Sequence, residues 1–459
     1  MQVNVSPDTI ARLRATLTGR VIEPQDEGYD QARAIVMGGY DRRPAAVVRP
    51  ADAADVSRVI TFARDSGMEL AVRAGGHSNA GHSATEGGIV LDLRDMRAID
   101  IDVEGRTAWV QGGCTAGEYT TAVGAHGLAT GFGDTGSVGV GGITLGGGIG
   151  FLVRKHGLSI DNLLAAEVVT ADGEVRHVDA DEHPDLFWAI RGGGGNFGVV
   201  TRLRFRLHPV PSIVGGILIL PVTPETITGF IAAAEAAPEE LSTIANVMPA
   251  PPMPFLPSEL HGKLILFAFL AYAGDTKAGE RAVAPFRALA EPLADMVQTM
   301  PYSGLFPPEE AAEQPTAVAR TMFIDQVDRS VAETVIEYLE SSDAVMRAVQ
   351  LRVLGGAMAR VPVDATAFAH RDSKILVNVA AFYQGAEERP VREAWVAELS
   401  EALRQSDAGA YVNFVGDEGE ERVRAAYPGA TYDRLAAIKA VYDPANVFRL
   451  NQNIPPAAG

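Results

Sequence analysis

The chain has 459 residues, of which 47% are hydrophobic and 21% charged, and its formal net charge at pH 7 is −19. A chain of this length exceeds the size at which one hydrophobic core stops growing, so two domains are expected. The acidic balance opposes broad binding to nucleic acid or to an anionic membrane, because both repel a negative surface. We therefore expect a small-molecule partner, and neither nucleic acid nor a membrane.

The start of the chain and its cysteine content bear on location. The first residues lack the apolar core of a secretory signal and predict a helix, with Ser6 as its N-cap and Pro7 in the first helical position. No run of about 18 apolar residues occurs, so no membrane span is expected. The single cysteine, Cys114, cannot form an intrachain disulfide, which favours a reducing cytoplasm without excluding export. A cytoplasmic location is the default expectation.

The first part of the chain predicts helices and strands separated by glycine-rich loops. Residues 51–67 have apolar positions at helical spacing, with Asp52 or Asp55 as cap and Gly67 as stop. Later segments predict strands ("ELAVR", "GGIVLDL", "TAWVQGG", "VVTRLRFRLHPV"), helices ("AGEYTTAVGAHG", "HPDLFWAIRG") and a hairpin in "LLAAEVVTADGEVRHVDA" that turns at Asp172 and Gly173.

The glycine content and the pattern of apolar residues change near residue 212. Glycine clusters stop there, and helical segments such as "PETITGFIAAAEAAP" alternate with strand-like runs such as "KLILFAFLAYAG". From about residue 405 the polar, asparagine-rich character of the first part returns. We therefore predict a first domain over 1–211, an inserted domain over 212–404, and a return to the first domain over 405–459.

Glycine motifs indicate a large anionic cofactor. Both "GGGNFG" (193–198) and "GFGDTG" (131–136) satisfy the G-x-G-x-x-G dinucleotide pattern. That pattern needs a strand before it and a helix after it, whereas a predicted helix precedes Gly193 and an alternating strand follows. A Rossmann site is therefore disfavoured. The density of glycines across "VRAGGHS", "GSVGVGGITLGGGIG" and "RGGGGNFGVV" exceeds what turns need and offers many backbone amides to an anion.

Other chemistries have weaker support in the sequence. His77 and His82 stand five apart in "VRAGGHSNAGHS", but no carboxylate or cysteine lies nearby at metal-ligand spacing, so no metal site is expected. No G-x-S-x-G elbow stands between a strand and a helix, which disfavours a serine hydrolase. Cys114 could have a lowered pKa at a helix start, but a buried small residue is the favoured interpretation.

Five stretches carry a resemblance to a known family. They are "VRAGGHSNAGHS", "VGVGGITLGGGIG", "HGLSIDNLLAAEVVTADGEV", "DLFWAIRGGGGNFGVVT" and "YDPANVFRLNQNI". In this order they resemble the berberine bridge enzyme-like flavoproteins of the vanillyl-alcohol oxidase superfamily, most of all the bacterial members, over nearly the whole chain. The resemblance implies an α+β fold, in which a two-part FAD-binding domain carries an inserted substrate domain of antiparallel sheet and helices.

The resemblance also implies an activity. The expected enzyme is an FAD-dependent oxidase that takes a hydride from an alcohol, amine or carbohydrate-type substrate onto flavin N5 and passes the electrons to O2, giving H2O2. Two alternatives stay open: a biosynthetic flavoenzyme that cyclises or oxygenates a natural-product intermediate, and a catalytically inert flavin-binding protein. Release of peroxide would favour the oxidase over both.

The resemblance assigns the flavin attachment to His77. In this family the histidine of "GGHS" is joined covalently to the C8 methyl group of the flavin, and a neutral imidazole is a competent nucleophile for that step. Many relatives add a second bond from a cysteine, but this chain has Thr135 at that position, so a single attachment without Cys114 is expected. Val138 stands where the family has a small residue that admits oxygen; valine favours a plain oxidase, and packing against the ring is the alternative.

Further cofactor contacts follow from the same resemblance. Glycine amides with Ser78 and Thr144 should hold the pyrophosphate, Gly198 and Val200 should border the adenine, and Asn451 and Asn453 the flavin. His82 is expected near the attachment loop, where a loop-stabilising hydrogen bond is an equal alternative. The full expected cofactor set is His77, Arg73, Gly75, Gly76, Ser78, His82, Thr135, Ser137, Val138, Gly139, Gly141, Gly142, Thr144, Gly146, Gly198, Val200, Asn451 and Asn453.

The expected catalytic residues lie in two segments. The strand "VQLRVLGG" places Gln350 and Arg352 on one face, where relatives have an acidic residue at the position of Gln350. The glutamine at this position weakens the hypothesis that a carboxylate acts as the base, so Tyr411 in "AYVNF" becomes the preferred base. The charge of Arg352 is expected to lower the pKa of the Tyr411 phenol, and Asn413 is expected to orient flavin or substrate. The alternatives are a core tyrosine with its hydroxyl tied up, and a solvated or salt-bridged face for Gln350 and Arg352.

Overall fold

A computed structural model describes residues 7–307 and 315–458 and confirms the predicted α+β class. The predicted cap at Ser6 lies outside the described residues, and the first helix begins at Pro7. None of the helices that the model describes is both long and apolar enough to cross a bilayer. The α-helices are α1 (Pro7–Thr16), α2 (Tyr29–Arg33), α3 (Ala53–Ser66), α4 (Ala116–Gly124), α5 (Val140–Leu145), α6 (Val153–His156), α7 (Pro184–Ile190), α8 (Pro224–Ala236), α9 (Thr276–Arg287), α10 (Arg329–Ser341), α11 (Arg389–Ala402), α12 (Glu420–Ala426) and α13 (Ala430–Tyr442).

A four-stranded sheet opens the chain and carries the loop of His77. Its strand order is β1-β2-β4-β3, with β1 antiparallel to β2 and the other pairs parallel. Helix α3 packs on it through Val56, Val59 and Ile60. The strands are β1 (Arg20–Ile22), β2 (Ala46–Arg49), β3 (Leu70–Arg73) and β4 (Ile89–Asp92).

The predicted boundaries of α3 are confirmed by its caps. The Asp52 side chain accepts a hydrogen bond from the Asp55 backbone N–H, which otherwise has no partner in the first turn. At the other end Gly67 has φ 68°, a left-handed conformation that glycine adopts at little cost. These ends fix the start of β3 and hence the position of the glycine loop after it.

A five-stranded antiparallel sheet follows, with strand order β5-β6-β10-β8-β9. The predicted hairpin is confirmed: its two strands pair antiparallel on either side of a turn in which Gly173 has φ 88°. A short pair, β7 (Leu128–Ala129) with β11 (His208–Pro209), lies apart from it. The five strands are β5 (Ile99–Asp102), β6 (Thr107–Gln111), β8 (Leu163–Val169), β9 (Val175–Val178) and β10 (Val199–Arg206).

An eight-stranded antiparallel sheet contains the strands described between residues 213 and 382. Its order is β15-β12-β14-β13-β18-β19-β17, with β16 also paired to β12. The strands are β12 (Ile213–Pro221), β13 (Leu241–Pro249), β14 (Leu264–Tyr272), β15 (Ala294–Asp295), β16 (Gln298–Met300), β17 (Ala317–Ile324), β18 (Arg347–Val353) and β19 (Ile375–Phe382).

The two faces of this large sheet have different roles. Helices α8, α9, α10 and α11 cover one face, where alternate residues such as Leu351 and Val377 join a buried apolar core. Because side chains alternate across a strand, Gln350, Arg352 and Asn378 lie on the opposite face, which turns toward the N-terminal sheets. The uncovered face therefore forms one wall of the main cavity.

The C-terminal segment packs back onto the first part of the chain. Leu435, Ile438 and Ile454 share a buried core with Phe197 and Leu203 of the N-terminal region. We propose the same three-part division as the sequence suggests, 1–211, 212–404 and 405–459. It is supported by the large sheet, which starts at β12 and ends at β19, between the two boundaries.

Candidate active site

A cavity of about 480 Å³ lies where the N-terminal loops, the C-terminal segment and the uncovered face of the large sheet meet. Its volume falls in the range of about 300–1,000 Å³ typical of small-molecule sites. Its walls include the loop of His77, the glycine loop around Gly139, and the segment around Gln452. Residues that are far apart in sequence therefore converge on one site.

Close backbone approach explains the glycines at the attachment loop. A Cβ on Gly75 would lie 2.3 Å from the Gly139 nitrogen, so the two loops touch main chain to main chain. Across this contact the Ser137 hydroxyl lies 3.0 Å from His77 Nε2 and forms a hydrogen bond with it. The imidazole is thus fixed beside the cavity by a residue of the second glycine loop.

The lining also contains polar atoms that the protein leaves without partners. His82 Nε2, Asn451 Oδ1 and the Tyr427 hydroxyl all belong to lining residues, are buried, and have no hydrogen-bond partner. Burial of an unsatisfied polar atom costs about 1–3 kcal/mol, which a bound ligand would recover. Cβ atoms on Gly142 or Gly195 would meet no protein atom, so packing does not require glycine at these two lining positions. Both features fit a large polar cofactor held close to the backbone.

The charges of the lining bear on how an anionic cofactor is held. Among the described lining residues, Arg352 is the one lysine or arginine, and its donors are committed to protein groups. The pyrophosphate of FAD would therefore be held by backbone amides of the glycine loops. Gly75, Gly139 and Gly142 line the cavity, and the role in holding the pyrophosphate that the family resemblance implies for them stays a prediction.

Most of the predicted cofactor residues line the cavity, and five do not belong to the lining. Thr144 is fully buried with an unpartnered hydroxyl, and a Cβ on Gly146 would lie 2.1 Å from Asn413 Oδ1. The five are Arg73, Ser137, Thr144, Gly146 and Asn453; those on the lining are His77, Gly75, Gly76, Ser78, His82, Thr135, Val138, Gly139, Gly141, Gly142, Gly198, Val200 and Asn451.

The Arg73 side chain makes hydrogen bonds to the protein main chain. Its guanidinium is buried and donates to the backbone carbonyls of Ala32, Ala34 and Ser83 at distances of 2.6, 3.3 and 3.1 Å. The contact with the cofactor that the family resemblance implies for Arg73 stays a prediction. Arg73 holds the chain on both sides of the attachment loop, because its donors are used on the main chain.

Burial determines the protonation state of both His82 and Cys114. The His82 backbone N–H bonds to the Ser78 hydroxyl at 3.3 Å, while its Nε2 stays unpartnered in the lining. Burial lowers the pKa of His82 to about 4, so the ring is neutral near pH 7. Cys114 is fully buried, and burial raises the pKa of its thiol to about 12. The interpretation of Cys114 as a buried small residue is confirmed.

Tyr411 is a buried residue of the cavity lining, and its hydroxyl is surrounded by hydrogen-bond donors. Its phenol oxygen accepts hydrogen bonds from Gly148 N–H at 3.0 Å, Ile149 N–H at 3.2 Å and Asn413 Nδ2 at 2.9 Å. These bonds and the charge of Arg352 lower the pKa of the phenol, but burial outweighs them and the pKa is raised. Arg352 therefore lowers the pKa of Tyr411 as expected, but the net change is a raised pKa, whereas the sequence suggested a lowered one.

Gln350 and Arg352 form a chain of hydrogen bonds rather than a solvated face. Arg352 Nε and Nη2 donate to Gln350 Oε1 at 2.9 and 2.7 Å, and Gln350 Nε2 donates to Asn246 Oδ1 at 2.9 Å. Arg352 Nη2 also donates to Asp134 Oδ2 at 2.6 Å. Sequence reasoning missed Asp134, although a carboxylate inside "GFGDTG", directly before Thr135, was a visible signal.

Comparison with known proteins identifies the family of the chain. A family model described as FAD binding domain matches residues 44–179, and one described as Berberine and berberine like matches residues 410–455. The (R)-6-hydroxynicotine oxidase of Paenarthrobacter nicotinovorans is 32% identical over 464 residues, 96% of this chain and 97% of that enzyme. The xylooligosaccharide oxidase of Thermothelomyces thermophilus is 29% identical over 91% of this chain and 86% of its own.

A solved structure has the same fold as this chain. The crystal structure of 6-hydroxy-D-nicotine oxidase from Arthrobacter nicotinovorans superposes with a TM-score of 0.85 at 29% identity, covering 96% of this chain and 99% of that one. The fold and the cavity define an FAD-binding oxidoreductase. The chain belongs to the berberine bridge enzyme-like family of FAD-linked oxidoreductases, as its sequence motifs predicted.

Proposed function

We propose that this protein is an oxidase that carries one FAD linked covalently through His77 and oxidises an alcohol, amine or carbohydrate-type small molecule. The observation that carries the proposal is the position of His77: it lines the cavity, and its Nε2 is engaged by Ser137 from the opposite glycine loop. Relatives over nearly the full length of the chain are named as oxidases of a hydroxynicotine and of xylooligosaccharides. Single attachment is supported by Thr135, which has no thiol to form a second bond.

The chemistry divides between the cofactor and the protein. Bound FAD would supply the oxidant, accepting a hydride from the substrate carbon at N5 and passing the electrons to O2 to give H2O2. As the phenolate, Tyr411 would take the proton from the substrate's hydroxyl or amine and become the neutral phenol. The three donors on its oxygen would stabilise the phenolate before this transfer. Asn413 orients this phenol, since its Nδ2 bonds both the Tyr411 oxygen and the Ile143 carbonyl, each at 2.9 Å.

The use of oxygen can be tested through Val138, which is half-buried in the lining. Replacing Val138 by leucine should slow peroxide formation by about tenfold or more, because a longer side chain obstructs the path of oxygen to the cofactor. Oxygen consumption during turnover would measure the change. An Ile143→Leu variant is the control, since it alters another lining residue at constant volume. Equal rates in both variants would remove Val138 from this role.

The oxidase activity is tested by offering a panel of amines, alcohols and oligosaccharides and measuring H2O2. Peroxide in equal amount to oxidised product supports the proposal. A product that contains a newly closed ring, or an oxygen atom taken from O2, would favour the biosynthetic alternative. Failure of every substrate to bleach the flavin absorbance would favour an inert flavin-binding protein.

A further inference from the structure

Asp134 is a carboxylate in the cavity that the proposed reaction does not use. It precedes Thr135 in the glycine loop that also carries Ser137, whose hydroxyl contacts His77. Among the lining residues that the structure describes, it is the one aspartate or glutamate. Its side chain is 25% exposed, whereas that of its partner Arg352 is 5% exposed. The carboxylate is therefore the part of the pair that faces the open space.

The hydrogen bonds of the pair show which partner has capacity left. Arg352 donates to Gln350, Asp134 and the Ile149 carbonyl, and its guanidinium lies over the Phe414 ring at 5.2 Å. Asp134 accepts one bond from Arg352 at 2.6 Å and one from the Thr135 hydroxyl at 3.2 Å. A carboxylate can accept about four hydrogen bonds. The arginine is therefore largely committed, while the carboxylate keeps acceptor positions for a ligand.

A second acceptor lies on the same wall. Asn378 is paired with Gln350 across β18 and β19, and its Oδ1 is buried without a hydrogen-bond partner. Gln350 itself is saturated at its oxygen by Arg352 and linked through its nitrogen to Asn246. This wall of the cavity therefore offers unpaired acceptors and no uncommitted cation.

We propose that Asp134 contacts the substrate and selects for one that carries a hydrogen-bond donor with positive charge, which is an amine in its ammonium form, and against carboxylates. The carboxylate would accept the N–H of the amine, and Asn378 Oδ1 would accept a second donor. An anionic ligand would meet Asp134 and Asn378 without a free cation to compensate for the desolvation of its charge. This inference rests on the proposed function, because it chooses the amine from its substrate classes.

The test measures binding rather than turnover. Benzylamine, benzyl alcohol and benzoate share one skeleton and differ in charge, and isothermal titration calorimetry on the purified protein gives a Kd for each. The native protein should bind benzylamine at least about tenfold more tightly than benzoate, because only the amine can donate a charge-assisted hydrogen bond to the carboxylate. Asp134→Asn should raise the Kd of benzylamine by about tenfold or more. It should change the Kd of benzyl alcohol by less than about threefold, because asparagine still accepts a hydrogen bond.

Two further variants make the result specific. Asp134→Glu keeps the charge and should keep the preference for the amine. Asp417→Asn removes an exposed carboxylate outside the lining and should leave all three Kd values unchanged. The proposal is overturned if benzoate binds as tightly as benzylamine, if Asp134→Asn leaves the selectivity unchanged, or if none of the three ligands binds. Because no turnover is needed, these outcomes are separate from those of the peroxide assay.

Discussion

Replacing Tyr411 by phenylalanine should lower turnover by about 10²- to 10⁴-fold, the usual contribution of a positioned proton acceptor. The substitution removes the phenol oxygen that accepts bonds from Gly148, Ile149 and Asn413 and leaves the ring in place. Substrate binding should change little, so the loss should fall on kcat rather than on KM. Steady-state kinetics with a substrate from the peroxide panel would measure it.

The pH dependence gives this prediction a distinct signature. Burial raises the pKa of Tyr411 above its ordinary value of 10.0, so the phenol is protonated near neutral pH in the free enzyme. Because a base acts in its deprotonated form, kcat/KM should rise by about tenfold per pH unit toward the alkaline range. The Tyr411→Phe variant should lose this slope. Tyr302→Phe is the matched control, since that phenol is also buried but lies outside the lining. Full turnover by Tyr411→Phe would exclude tyrosine as the base.

Replacing Lys439 by alanine should lower the free energy of unfolding by about 3–5 kcal/mol, because it leaves a buried charge without its partner. Lys439 and Asp443 are both fully buried, and their charged atoms are 2.9 Å apart. The Lys439 ammonium also donates to the carbonyls of Asn196 and Phe448 at 2.8 Å each. These bonds join α13 to two segments that line the cavity.

The loss can be followed with a local probe. The guanidinium of Arg434 on α13 lies 3.8 Å from the centre of the Trp188 ring, so tryptophan fluorescence in urea should report the loosening of this region. An Arg404→Ala variant removes an exposed pair with Glu401 and should cost no more than about 1 kcal/mol. A loss below about 1 kcal/mol for Lys439→Ala would show that the ion pair does not hold the C-terminal segment.

Local structure was predictable from sequence where neighbours along the chain decide it. The caps of α3 at Asp52 and Gly67, and the hairpin turn at Gly173, depend on residues a few positions apart. The period of two likewise placed Gln350 and Arg352 on one face of β18. The family motifs identified the fold, and most of the cofactor residues that they predicted line the cavity, because such motifs carry information about a ligand site that the composition alone does not specify.

The missed features all depend on long-range contacts. Asp134 meets Arg352 across 218 positions, and the donors to Tyr411 come from residues 263 and 262 positions away. No periodicity relates residues at such separations, so neither the pairing of Asp134 with Arg352 nor the three donors on the phenol could be predicted. The main-chain contacts of Arg73 could not be predicted for the same reason, since its carbonyl partners include residues 41 and 39 positions earlier.

The covalent attachment of FAD at His77 is the central claim, and the mass of the intact chain tests it most directly. The purified yellow protein is precipitated with acid, and the pellet and the supernatant are analysed for flavin. The native chain should retain the mass of one FAD, and a His77→Ala chain should retain none, releasing any bound flavin to the supernatant. Complete release of flavin from the native chain would contradict the attachment at His77.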